Sequence, residues 1–118
     1  MRTLVDTSVW IDHFRHRNSR LVDLLEGDDI LVHPFVIGEI ACGHLKNRNM
    51  VIDSLSRLPY APIASAEECL SFIDNHKLFG LGLGFVDVNL LASSLICSAR
   101  LLTLDKKLHK AAENLPHR

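Results

Sequence analysis

Three short stretches built on apolar runs, residues 2–6 around TLV, DILVHP around ILV and RLLTLD around LLTL, are each followed within a few residues by a helix-like pattern. No other feature of the chain narrows its fold as much. Each run is too short for a helix and too uniformly apolar for a sheet with one wet face, so it reads as a strand buried on both sides. Strands separated by helices pair in parallel, with the helices covering the two faces. The expected fold class is α/β: a central parallel sheet of about four strands flanked by helices on both faces.

The remaining elements follow from local signals. A helix is expected over 8–16, and a second in SRLVDLLEG from the capping residue Ser19 to Gly27. Pro34 closes the strand DILVH and suits the first turn of the helix PFVIGEIACGHLKN. Another helix lies near NMVIDSLSRL, and YAPIA supplies the fourth strand, weakened by its proline. Ser65 and Glu68 stand at capping-box spacing and open a helix that closes at Gly80. GLGLG is a loop, VDVNLLASSLICSA a nearly all-apolar helix, and KKLHKAAENL a last helix. A length of 118 residues suits one domain over 1–118 with one core, and so one site.

Thirteen basic residues against fourteen acidic ones argue for no particular partner, although acids gathered round a cation would leave the rest of the surface basic. Cys42, Cys69 and Cys97 lie in apolar helical patterns without metal-ligand spacing, which reads as reduced core thiols and a cytoplasmic location. No leader-like segment and no membrane span is expected.

Asp6 stands directly after the first strand, where a capping carboxylate would also serve the helix that follows. Asp105 stands the same way after the last strand, and both face the carboxyl edge of the sheet, where α/β folds bind ligands. Asp87 sits in the first turn of its helix, which a favourable helix dipole alone would explain. Glu39 has Phe35, Val36, Cys42 and Gly43 as its helical neighbours, an apolar or small stripe on which an unpaired acid is costly. Four carboxylates at one edge would repel and raise one another's pKa values unless a hard divalent cation joined them. Mg²⁺ fits, and Mn²⁺ can substitute, because carboxylate and water oxygens suit both and neither needs Cys or His. The chemistry implied is metal-assisted hydrolysis of a phosphodiester. Thr7 and Thr103 flank these acids and either support the site or cap the helices.

VDTSVWIDHF, GEIACG, GFVDVNLLASS and LLTLDKKL, in this order and spacing, resemble the PIN domain, specifically the VapC-type ribonuclease toxins of bacterial toxin–antitoxin pairs. The likeness spans almost the whole chain. It implies that Asp6, Glu39 and Asp87 are the three metal-binding acids and that Asp105 is the fourth, more variable one. Asn89 stands where similar sequences often have His. The resemblance further implies Mg²⁺ or Mn²⁺ dependence, an RNA substrate, a homodimer and a cognate antitoxin. That antitoxin is expected to lay an apolar segment on Trp10, Phe14, Leu21 and Leu25 and to reach a basic side chain toward the acids.

Arg15 and Arg17 after the first helix, and Lys106 and Lys107 beside Asp105, are solvated surface that gains a second role as RNA contacts next to such a site. His13 and His16 are expected to be exposed, and Trp10 and Phe14 to pack in the core. Two other classes compete. A receiver-type phosphoacceptor module has this length and layout, but its acidic doublet follows the first strand, whereas Asp28-Asp29 precede a strand here. A non-catalytic RNA-binding domain gives no reason for Glu39 on an apolar stripe.

Overall fold

A computed structural model describes residues 1–116, so positions 117 and 118 of the expected domain lie outside the described residues. In chain order the elements are β1 (Thr3–Val5), α1 (Thr7–His16), α2 (Ser19–Glu26), β2 (Ile30–Leu31), α3 (Pro34–Cys42), α4 (Arg48–Ser56), α5 (Ala66–His76), α6 (Phe85–Ile96), β3 (Arg100–Leu102) and α7 (Lys106–Glu113).

The sheet is parallel throughout, in the order β2-β1-β3. Leu4 pairs with Leu31 on one side and Leu101 on the other. The expected fourth strand is reduced to one parallel bridge between Val32 and Tyr60. Val32 donates its N–H to Pro59 O and accepts from Ala61 N, both at 2.8 Å. The ladder goes no further because Pro59 has no N–H to offer Ile30 and because Pro34 turns the chain into α3. What was expected as about four strands is three strands and a bridge.

Leu4 and Val5 are fully buried, as an apolar run covered on both faces must be. Val9 and Trp10 from α1, Val36 and Ile40 from α3, Leu90 and Leu91 from α6 and Leu108 from α7 pack into the same core. Trp10 and Phe14 stack with ring centres 6.2 Å apart, Trp10 inside and Phe14 half-buried. Among the described residues, no helix is long and apolar enough to cross a membrane.

Several local expectations fail. The helix opened by Ser65 ends at His76, with Lys77 at φ 53°, and not at Gly80, and the helix begun by Pro34 ends at Cys42 instead of running on through His44-Leu45-Lys46-Asn47. The cap of α2 is Asn18, whose side chain accepts from Leu21 N at 3.0 Å, and not Ser19. Cys42 is exposed, whereas Cys69 is buried as expected and Cys97 is half-buried. His16 is exposed, but His13 is only half so, and its Nδ1 accepts from Asn18 N at 3.1 Å.

Candidate active site

Asp6 answers the question its position poses. Its backbone begins α1, yet its side chain makes no capping bond. It is 7 % exposed, and its Oδ2 accepts instead from Ser8 Oγ at 2.8 Å and Thr103 Oγ1 at 2.7 Å. Thr103 Oγ1 in turn accepts from Asp105 N at 3.0 Å, and Ser8 Oγ from Leu104 N at 3.0 Å. Two hydroxyls thereby join the β1–α1 junction to the β3–α7 junction. Thr103 makes one of these bridges, and Ser8 was missed because a serine two residues into a helix resembles any capping hydroxyl.

Asp87 occupies the third position of α6, where its Oδ2 accepts from Gly84 N at 2.9 Å. Loss of hydration raises its carboxyl pKa above the usual range, the Gly84 N–H opposes that, and the charges of Asp6 and Asp105 add to the rise. Asp105 is exposed, and its Oδ1 caps α7 by accepting from Lys107 N at 2.9 Å and Leu108 N at 3.0 Å. Asp6, Asp87 and Asp105 therefore share one electrostatic neighbourhood at the carboxyl edge of the sheet.

Glu39 departs from expectation. It is exposed, so no desolvation cost demands a cation. The apolar residues around it in sequence belong to a helix that is apolar on most sides, and Val36 and Ile40 take the inner face. What links Glu39 to the site is Thr7, which donates its hydroxyl to Glu39 Oε1 at 2.6 Å one residue after Asp6.

A common pattern emerges across the four acids. Each has one oxygen fixed by a donor: Asp6 Oδ2, Glu39 Oε1, Asp87 Oδ2 and Asp105 Oδ1. Among the described residues, the second oxygen of each has no hydrogen-bond donor and no ion-pair partner. Fixing one oxygen and freeing the other is how outer partners orient a ligating carboxylate. The set is all hard oxygen and matches Mg²⁺ or Mn²⁺ in kind. In spacing it is open: among the described residues, no three acidic, His or Cys side chains already stand close enough to hold an ion.

Starting two residues after Asp87 on α6 is a buried polar cluster that the sequence did not reveal. His33, fully buried at the start of α3, accepts from Phe35 N through Nδ1 at 3.0 Å. That leaves Nε2 to donate to Asn89 Oδ1 at 2.9 Å, with Ser93 Oγ 3.1 Å away. Asn89 also donates to Ala64 O at 2.9 Å, so its role is to bind α6 to α3 and to the segment before α5.

The basic residues separate into two groups. Arg15 lies nine residues beyond Asp6 along α1, about 13 Å at 1.5 Å per residue, and Arg17 follows the helix. Lys106 and Lys107, both exposed, begin α7 immediately after Asp105. The surface expected to receive an antitoxin also changes: Trp10 is 3 % exposed and Leu21 0 %, so only Phe14 and Leu25 of that group have apolar area left to cover.

A family model of the PIN domain matches residues 3–114. The chain belongs to the PIN domain family. This PIN domain is 48% identical over 109 residues to ribonuclease VapC32 of two Mycobacterium tuberculosis strains, across 92% of this chain and 88% of the relative. Its fold is shared with PAE2754 from Pyrobaculum aerophilum (TM-score 0.66, 14% identity, 97% of this chain and 81% of that one). FitAcB from Neisseria gonorrhoeae shares it too (TM-score 0.64, 20% identity, 94% and 93%). Membership of this family sets aside the receiver-type reading.

Proposed function

We propose that this PIN domain, as one unit over 1–118, is an endoribonuclease toxin of the VapC type. It hydrolyses RNA phosphodiester bonds with Mg²⁺, for which Mn²⁺ substitutes, and a cognate antitoxin silences it. The observation that carries this reading is the pair of hydroxyl bridges by which Thr103 and Ser8 tie Asp6 to the turn that holds Asp105 at the sheet edge. The 48% identity to a protein named a ribonuclease supports the reaction class.

Asp6, Glu39, Asp87 and Asp105 are the residues that would hold the cation through their free oxygens. When bound, a divalent ion supplies an activated water and neutralises charge on the leaving oxygen. The chain's own part is orientation. Thr103 and Ser8 hold Asp6 from one side, and Thr7 holds Glu39 at the end of a flexible side chain. Asp87, whose carboxyl pKa is raised by loss of hydration and by the charges of Asp6 and Asp105, gains from an added positive charge. Lys106 and Lys107 lie where they can meet the RNA backbone beside Asp105, and Arg15 and Arg17 extend that contact along α1. The antitoxin places a basic group among the acids, taking the cation's place. A homodimer in the cytoplasm completes the reading.

Purified, antitoxin-free protein incubated with total cellular RNA should cut it in Mg²⁺ or Mn²⁺ and not in EDTA. Sequencing of the new ends would name the target. RNA left whole by folded protein with either ion would overturn the proposal.

A further inference from the structure

Lys107, the second residue of α7, lies across the glycine turn that leads into α6. A Cβ placed on Gly82 would stand 2.9 Å from Lys107 Nζ, 3.1 Å from its Cδ and 3.4 Å from its Cε. The room left by the missing side chain is therefore the room the lysine occupies. Gly82 also has φ +77°, a conformation that L side chains rarely adopt, so a glycine serves two purposes there.

Helix stability does not explain this lysine. A cation in the first turn opposes the helix dipole, whose positive end is there. Ion pairing does not explain it either. Among the described residues the ion pairs are Arg57 with Asp53 and His109 with Glu113, so the Lys107 ammonium has no carboxylate within 4.0 Å. Yet it bridges the two segments that carry Asp87 and Asp105. An unpaired ammonium, seated against backbone at the border of an acidic site, has the charge and position for one anionic group of an incoming ligand.

We propose that Lys107 holds a backbone phosphate of the RNA substrate and that Gly82 positions it. This rests on the nuclease reading and refines it: of the basic side chains near the acids, the seated one makes a fixed phosphate contact. Lys110, exposed on the same helix, does not fill the Gly82 slot and contributes only to the general field.

The test uses the whole protein and a fluorescein-labelled single-stranded RNA, with binding measured in Ca²⁺ and turnover in Mg²⁺. Lys107→Ala should weaken binding about tenfold, lower the slope of log affinity against log salt by about 0.7, and raise KM while kcat stays near wild type. Lys107→Arg should restore most of the affinity, and Lys110→Ala should cost less than about twofold with its salt slope retained. Gly82→Ala should weaken binding in the same direction, and adding it to Lys107→Ala should cost nothing further, because residues acting through one contact are not additive. Lys107→Ala is a surface change and remains informative even if the strained Gly82→Ala fails to fold. The proposal is overturned if wild type cuts RNA while Lys107→Ala keeps its KM and salt slope, and the nuclease reading then stands. Equal losses for Lys107→Ala and Lys110→Ala, or additive effects of Gly82→Ala and Lys107→Ala, overturn it as well. A wild type that neither binds nor cuts the RNA overturns both readings.

Discussion

Thr103 gives its hydroxyl hydrogen to Asp6 Oδ2 across 2.7 Å, although 97 positions separate the two residues in the chain. Thr103 Oγ1 itself accepts from Asp105 N, so one hydroxyl sets the aim of the first acid and the start of the turn that holds the fourth. Thr103→Val keeps the shape and removes the donor. Activity at limiting metal should fall about 10- to 100-fold, as for other partners of ligating side chains, with partial recovery at saturating Mn²⁺. A variant with wild-type metal dependence would show that Ser8 alone suffices.

Asp6→Asn, Glu39→Gln and Asp87→Asn should each abolish cleavage and relieve toxicity in a protein that still folds, because each removes charge but little volume. Asp105→Asn should be milder. Asn caps helices about as well as Asp, so α7 keeps its cap while the site loses an exposed charge. The assignment fails if folded Asp6→Asn cuts RNA at the wild-type rate.

The raised pKa of Asp87 carries a stability consequence of definite sign. Its folded value lies above its unfolded one, so the ionised carboxylate costs stability at neutral pH, and the cost fades as pH falls through the folded value. Asp87→Asn should therefore leave the metal-free protein at least as stable as wild type at pH near 7. Mn²⁺ at a hundred times its Kd should stabilise wild type by about 2.7 kcal/mol through mass action, and the variant by less. Melting curves with and without Mn²⁺ check both statements. A wild-type curve unmoved by saturating Mn²⁺ would leave no role for a cation among these acids.

His33 gives a second pH dependence, of opposite sense. Burial lowers its pKa, against a smaller opposing effect of the Asn89 hydrogen bond. Protonation would also place a proton on the nitrogen that accepts from Phe35 N. The stability its neutral form contributes is thus present above the ordinary histidine value and is lost as pH falls through the depressed one. Wild type should lose melting temperature between about pH 7 and pH 5 more steeply than His33→Gln, which cannot titrate there. Parallel slopes would mean that acid unfolding starts elsewhere.

What the sequence disclosed was mostly local. Pro34 at the start of α3 and the reciprocal bonds between Ser65 and Glu68 act within one helical turn, so spacing alone revealed them. The strand ends at Asp6 and Asp105 were legible for the same reason. The exposure of Glu39 was hidden because α3 is apolar on most sides and its periodicity does not name the inner face. Ser8 and Asn89 were opaque since their partners are distant: Leu104 for the one, His33 and Ala64 for the other. A small polar residue carries no mark of a bond that only the folded chain brings within reach. The reduced fourth strand depended on which backbone donors faced β2, and Pro59 decided that through a missing hydrogen.

The order β2-β1-β3 puts the strand synthesised first between two that are made later, and the later of these brings Thr103 and Asp105 to the edge. Within the folded chain, Thr103 and Asp105 reach Asp6 only through β3, so the edge that carries the acids is joined from the two ends of the chain. One end alone supplies neither the Thr103 bond to Asp6 nor the turn that holds Asp105, and the arrangement belongs to the sheet as a whole.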